Sequence, residues 1–198
     1  MNKTLILILI ALFITGCSIK DVTAPIVKYD IDSTSSLNKH KQNGKILKVS
    51  QFKTPENLLG DGIWYKRKSS QIGAYLYSSW SQNFSSMVLQ NIANNLYSSG
   101  LFKSVFVSYS KVKYDLILEG DIVKAIQNVD KNRASVTFEM RLYLIDAKSS
   151  KLLGTKDFIY TKKCESVDAK GAVKAYNDIF KTFDKEVILW LKKSIKEN

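Results

Sequence analysis

One histidine, two cysteines and two prolines occur among 198 residues, and each scarcity closes off a class of function. His40 stands alone in a polar stretch, so neither a Ser-His-Asp nor a Cys-His arrangement has a usable base. His40 with Cys164 cannot make a metal site of known spacing, and no metal is expected. Neither GxxxxGKS/T nor GxGxxG is present, so no phosphate-cradling loop is signalled. Acidic pairs such as Glu119 with Asp121 fall on alternating strand positions. A carboxylate pair for glycoside chemistry is one reading of them, and a solvated strand face is the commoner one. The chain is therefore read as a non-enzyme with no catalytic residues.

Long apolar runs are also missing. The longest is Leu5 to Ile14, ten residues, about half of what a membrane span needs. It follows the positive start Met1-Asn2-Lys3 and precedes Ile14-Thr15-Gly16-Cys17. A charged start, a short apolar stretch and small residues at the cut site mark a secretory signal over residues 1–16. Cysteine directly after the small pair resembles the lipobox of bacterial lipoproteins, in which the thiol is acylated and the chain is cut before it. An ordinary signal with a leftover thiol is the plainer alternative. With Cys17 blocked by lipid, Cys164 is the one free thiol, so no intramolecular disulfide can form. At the end of an apolar strand, Cys164 reads as a small packing residue. No cofactor is expected beyond the covalent lipid on Cys17.

Arginine is scarce as well. Of 30 basic residues only Arg67, Arg133 and Arg141 are arginine, while the net charge is +12. Planar phosphate recognition favours arginine, and an exported chain does not meet intracellular nucleic acid. A lysine-rich solvated surface is the plain reading of the charge. Attraction to anionic headgroups near the anchor is the sharper one.

Residues 17–44 read as a lipidated flexible tether. They hold Pro25, the serine-rich Asp32-Ser33-Thr34-Ser35-Ser36 and a polar run from Asn38 to Gly44, with too little apolar content to fix a conformation. Fully extended, such a tether reaches roughly 90 Å. One α+β domain is expected over 45–198. Its first strand is Ile46–Phe52, and an aromatic hairpin turns around Arg67-Lys68-Ser69-Ser70. Phe84, Val88, Ile92 and Leu96 then predict a helix, with Ser81 or Asn83 as its cap and Gly100 at its end. Further strands are expected at Val105–Tyr109, Leu116–Ala125, Ser135–Ile145 and Leu152–Thr161. A closing helix over Asp168–Lys196 carries the stripe Val173, Tyr176, Phe180, Phe183, Val187 and Trp190. The order predicts an antiparallel-rich sheet with two helices packed on one face.

Charge is absent altogether from Ser69 to Phe102, 34 residues. The gap covers the tyrosine-rich strand, Trp80 and the whole first helix, whose outer face is serine, asparagine and glutamine. Interfaces lose charge at their centres and gain Tyr and Trp. Tyr75, Tyr77, Trp80, Gln90, Asn91 and Asn94 are therefore the candidate interface, and a homo-oligomer is expected. A neutral polar surface that arose by drift is the alternative.

Several segments in this order resemble one known family. They are Trp64-Tyr65 followed by basic residues, Tyr75-Leu76-Tyr77-Ser78-Ser79-Trp80 before an uncharged helix, and Leu96-Tyr97-Ser98-Ser99-Gly100-Leu101-Phe102-Lys103-Ser104-Val105. Tyr114-Asp115-Leu116-Ile117-Leu118-Glu119-Gly120 and the last helix with Ala175, Asn177, Phe183 and Trp190-Leu191 complete the set. Together they resemble the auxiliary lipoproteins of ABC-type lipid transport systems, the PqiC-like family. One departure is the missing proline after Trp80. The resemblance implies a periplasmic subunit anchored in the outer membrane. Its implied partner is an MCE-domain protein of a lipid transporter, and its implied role is in lipid trafficking and envelope integrity. It implies no catalytic residues, and only Cys17 carries over as a functional position. Assembly or activator lipoproteins for lipopolysaccharide insertion or cell-wall synthesis share the tether and domain size, and remain the alternative.

Overall fold

The computed structural model describes residues 24–32, 39–67, 71–107 and 111–197. Among them, eight strands form one mixed sheet: β1 (Val27–Tyr29), β2 (Ile46–Val49), β3 (Gly62–Arg67), β4 (Gln71–Trp80), β5 (Ser104–Val107), β6 (Leu116–Asp130), β7 (Arg133–Asp146) and β8 (Leu152–Lys163). Two helices, α1 (Phe84–Ser98) and α2 (Ala169–Lys196), complete the fold.

The long ladders are antiparallel. β6 pairs β7 from Leu116 opposite Asp146 to Asp130 opposite Arg133, and β7 pairs β8 along its length. Period two in β7 sets the sides. Val136, Phe138, Met140, Leu142 and Leu144 are buried, while Glu139 and Arg141 face away and pair with Lys124 and Asp157. Phe138 touches both helices. Its ring lies 6.5 Å from Phe84 of α1, and 5.0 and 5.4 Å from Phe180 and Phe183 of α2. Both helices therefore lie on one face, as the order of elements predicts.

The helix ends follow local chemistry. The Asn83 side chain accepts the Ser86 N–H and opens α1, which satisfies one of the four donors a helix start leaves free. Gly100, at φ +66°, closes it in the left-handed region that glycine enters without penalty. In α2 the Asp168 carboxylate accepts the Gly171 N–H at 2.7 Å. The stripe from Val173 to Val187 is buried as expected. Trp190 is only partly buried and meets Phe158 edge-on at 6.0 Å.

Four short parallel pairings join the antiparallel ladders: β1 with β4, β2 with β5, β2 with β6, and β3 with β6. Along the edge opposite β7, β6 receives β2 at Leu116–Leu118 and β3 at Gln127–Val129.

The boundary expected at residue 44/45 moves upstream. Val27, Lys28 and Tyr29 pair in parallel with Ser78, Ser79 and Trp80, and Tyr29 and Ile31 pack on the core. The Asp32 N–H donates to Asn177 of α2. Nearer the domain, the His40 and Asn43 amides donate to the Ser99 and Leu101 carbonyls. Parts of the expected tether are thus docked. The physical reason is legible in Val27-Lys28-Tyr29-Asp30-Ile31-Asp32, where apolar and polar residues alternate. Residues 1–23, 33–38, 68–70, 108–110 and 198 lie outside the described residues, and with them the end of the strand expected at Val105–Tyr109.

Candidate functional site

The uncharged segment divides into residues that serve the core and residues that face water. Trp80 belongs to the core: it is 2% exposed and lies 5.3 Å from Phe84 and 5.5 Å from Tyr176, ring to ring. This corrects its assignment to the interface. An indole in an uncharged run satisfies a core and an interface equally well, and packing against α2 decides.

Asn91 is corrected in the same way. Its Nδ2 donates to Asp184 Oδ1 at 2.8 Å, and Asn95 Nδ2 donates to Asp184 Oδ2 at 2.7 Å. Asp184, on α2, is 2% exposed. A buried carboxylate needs donors, and two asparagines one helical turn apart reach both its oxygens. Part of the missing charge on α1 is therefore explained from inside: its asparagines solvate a carboxylate across the helix–helix contact.

Tyr75 is half-buried. Its hydroxyl donates to Gln127 Oε1 at 2.6 Å, and its ring lies 4.9 Å from that of Tyr65. Burial pushes its phenol up to about 12. Gln127 in turn donates to the Asp168 carbonyl and to Cys164 Sγ. Cys164 is buried, and that burial raises its thiol above the usual value, which disfavours the nucleophilic thiolate. Of the candidate interface residues, Tyr77, Gln90 and Asn94 are the exposed ones. Ile26, Val27, Ile72 and Leu76, of β1, β4 and the approach to β1, are exposed as well. Cys17 lies outside the described residues.

Of the carboxylates considered for glycoside chemistry, Asp121 accepts the Tyr143 hydroxyl at 2.8 Å on the face away from the helices, while Glu119 is exposed. Among the described residues no group of three His, Cys, Asp or Glu side chains is placed to hold a metal ion, and no helix is long and apolar enough to cross a membrane.

Sequence reading missed one feature. An open cleft of about 920 Å³ lies where β3 ends, β6 turns into β7 and β8 ends. Lys66, Arg67, Lys131, Arg133 and Lys163 line it, with Asp130 as its one carboxylate. Among the described residues none of these five cations forms an ion pair, although seven pairs occur elsewhere. No local signal marks this cleft, because its residues are spread from position 66 to position 163.

The sequence matches a family model described as ABC-type transport auxiliary lipoprotein component over residues 29–187. No curated protein matches it. Among solved structures, the fold is similar to that of protein XCC0632 from Xanthomonas campestris. The TM-score is 0.72 at 14% identity, covering 87% of this chain and 95% of that one. A protein described only as uncharacterized gives 0.64 at 15% identity, covering 84% and 99%. The hypothetical protein CT253 from Chlamydia trachomatis gives 0.53 at 8% identity, covering 78% and 99%. At such identities these structures speak to the fold.

Proposed function

The chain belongs to the family of ABC-type transport auxiliary lipoprotein components, and from that premise we propose that it is the auxiliary subunit of an MCE-type lipid transporter. On this reading, lipid on Cys17 anchors it in the outer membrane, and the folded domain faces the periplasm. It acts as a binding and positioning subunit rather than as an enzyme. The observation that carries the reading is the family match over residues 29–187, a stretch that runs from the last residue of β1 through most of α2.

Several features support it. The signal-like start and Gly16-Cys17 suit a lipid-anchored export product. Tyr77, Gln90 and Asn94 leave an uncharged surface open to an MCE-domain partner or to further copies of the chain. Ser18 after the cysteine, rather than aspartate, resembles the pattern that permits passage to the outer membrane.

The test is co-purification of the intact lipoprotein from crosslinked membranes. Recovery of an MCE-domain protein together with its ABC permease supports the proposal. Recovery of a lipopolysaccharide-insertion or cell-wall machine in their place overturns it in favour of an assembly role.

A further inference from the structure

We propose that the basic cleft at the strand ends is the membrane-facing end of the molecule, and that it takes the phosphate-bearing headgroups of anionic lipids. The inference rests on the Cys17 anchor proposed above and adds an orientation and a set of contact residues to it.

Topology carries the argument. β1 runs parallel to β4, with Val27 beside Ser78 and Tyr29 beside Trp80. The chain therefore reaches Val27 from the Gln71 end of β4. Arg67 of β3 pairs with Gln71 at that end, and also with Val129 of β6. Asp130 closes β6 opposite Arg133, and Lys163 closes β8 opposite Ser135. The strand that receives the anchored chain thus points back toward the end that gathers Lys66, Arg67, Lys131, Arg133 and Lys163.

Length matters next. Cys17 and Val27 are ten residues apart, at most roughly 35 Å of extended chain. Docking of β1 shortens the reach expected of a free tether by more than half. Val27 lies beside Ser78, seven residues from Gln71, so the ten residues upstream of it are long enough to follow β4 back to the basic end.

Charge then selects the occupant. The cleft holds five cations against one carboxylate. Cations without ion-pair partners close to an anionic surface are drawn to it over about a Debye length. Ile72, next to Gln71 at this end of β4, is an exposed apolar side chain that can enter the boundary between headgroups and acyl chains.

The experiment uses the full lipidated chain reconstituted into vesicles, with one fluorescent label per variant. Asn132→Cys labels the β6–β7 tip and Lys148→Cys the β7–β8 turn; both sites are exposed. Cys164 is buried, so labelling is selective. Energy transfer to an acceptor lipid is measured in vesicles of phosphatidylcholine alone and of equimolar phosphatidylcholine and phosphatidylglycerol. In the anionic vesicles the Asn132 label is expected to transfer at least about twofold more than the Lys148 label, given their separation along β7. The excess should fall in about 1 M salt, where the screening length is about 3 Å. It should also fall when Lys66, Arg67, Lys131, Arg133 and Lys163 are all changed to glutamine, with melting of the chain unchanged. Equal transfer from both labels, or more from Lys148, in a chain that stays in the bilayer overturns the orientation and leaves the anchor standing. Equal transfer excess in both vesicle types overturns the headgroup contact. A chain that leaves the vesicles altogether overturns the anchor, and the orientation falls with it.

Discussion

Truncation of Asn95 tests whether the uncharged face of α1 serves the inside of the protein. The asparagine gives Asp184 a side-chain hydrogen bond at 2.7 Å, where the carboxylate is 2% exposed. A hydrogen bond to a charged group contributes about 1.5–3 kcal/mol. Alanine recovers about 0.5 kcal/mol of that through helix propensity. The net expectation for Asn95→Ala is a loss of about 1–2.5 kcal/mol. For a domain of this size, about 2 kcal/mol lowers Tm by about 4–8 °C. Asn91→Ala removes the bond at 2.8 Å and is expected to cost a similar amount. The double variant should lose more than the two single losses added together, because the first truncation leaves the other asparagine carrying more of the carboxylate's solvation. Urea unfolding of the four chains, followed by circular dichroism, closes the cycle. An Asn95→Ala chain within about 0.5 kcal/mol of the parent, the range of ordinary surface changes, would refute the reasoning. The same geometry rules out Asn91 as a place to insert a negative charge, since a glutamate there would face Asp184.

The open part of the uncharged surface is tested at its exposed positions. Gln90→Glu with Asn94→Lys should leave melting unchanged and lower the oligomeric mass or the capture of an MCE-domain partner; unchanged assembly would mean the charge gap is drift. Cys17→Ser should abolish fatty-acid labelling of the chain, and equal labelling would sink the lipobox assignment. Trp190→Ala should cost about 2–3 kcal/mol, below the 3–5 of a fully buried tryptophan, because Trp190 is only partly buried. A Cβ at Gly171 would sit 2.2 Å from the Ser166 carbonyl oxygen, so Gly171→Ala should destabilise by about 1–3 kcal/mol in the same urea assay. The Tyr75 phenol is raised from 10 to about 12. Its contribution to stability is fully present below pH 10 and is lost as the pH rises toward 12. The absorbance change of phenolate formation near pH 11 should therefore be no larger in the parent than in Tyr75→Phe; a clear excess in the parent would show an ordinary phenol.

Periodicity revealed the elements whose partners do not matter to it. Phe84, Val88, Ile92 and Leu96 step by four and are each no more than 1% exposed; β7 alternates and buries the residues expected. Such patterns report which side of an element meets a core. They do not report which core residue is met, and the errors follow from that. Trp80 was legible as shielded from charge, but the shield is Tyr176, 96 positions away in the chain. Asn91 was legible as a polar residue on a helix, but Asp184 on the other helix decides which way it works. β1 is three residues long; the alternation from Val27 to Asp32 marks an extended segment, but its parallel partner strand is fixed only by the assembled sheet. The cleft cations are the extreme case. Lys66, Arg67, Lys131, Arg133 and Lys163 look like scattered lysines and arginines until β3, β6, β7 and β8 bring their ends together. The scarcity of arginine gains a meaning there: two of the three arginines in the chain, the residues best suited to a phosphate, stand in this one cleft. The third, Arg141, is held by Asp157 on the outer sheet face. On the orientation proposed above, the two arginines without a carboxylate partner among the described residues stand at the membrane-facing end, and Arg141 lies beyond the middle of β7.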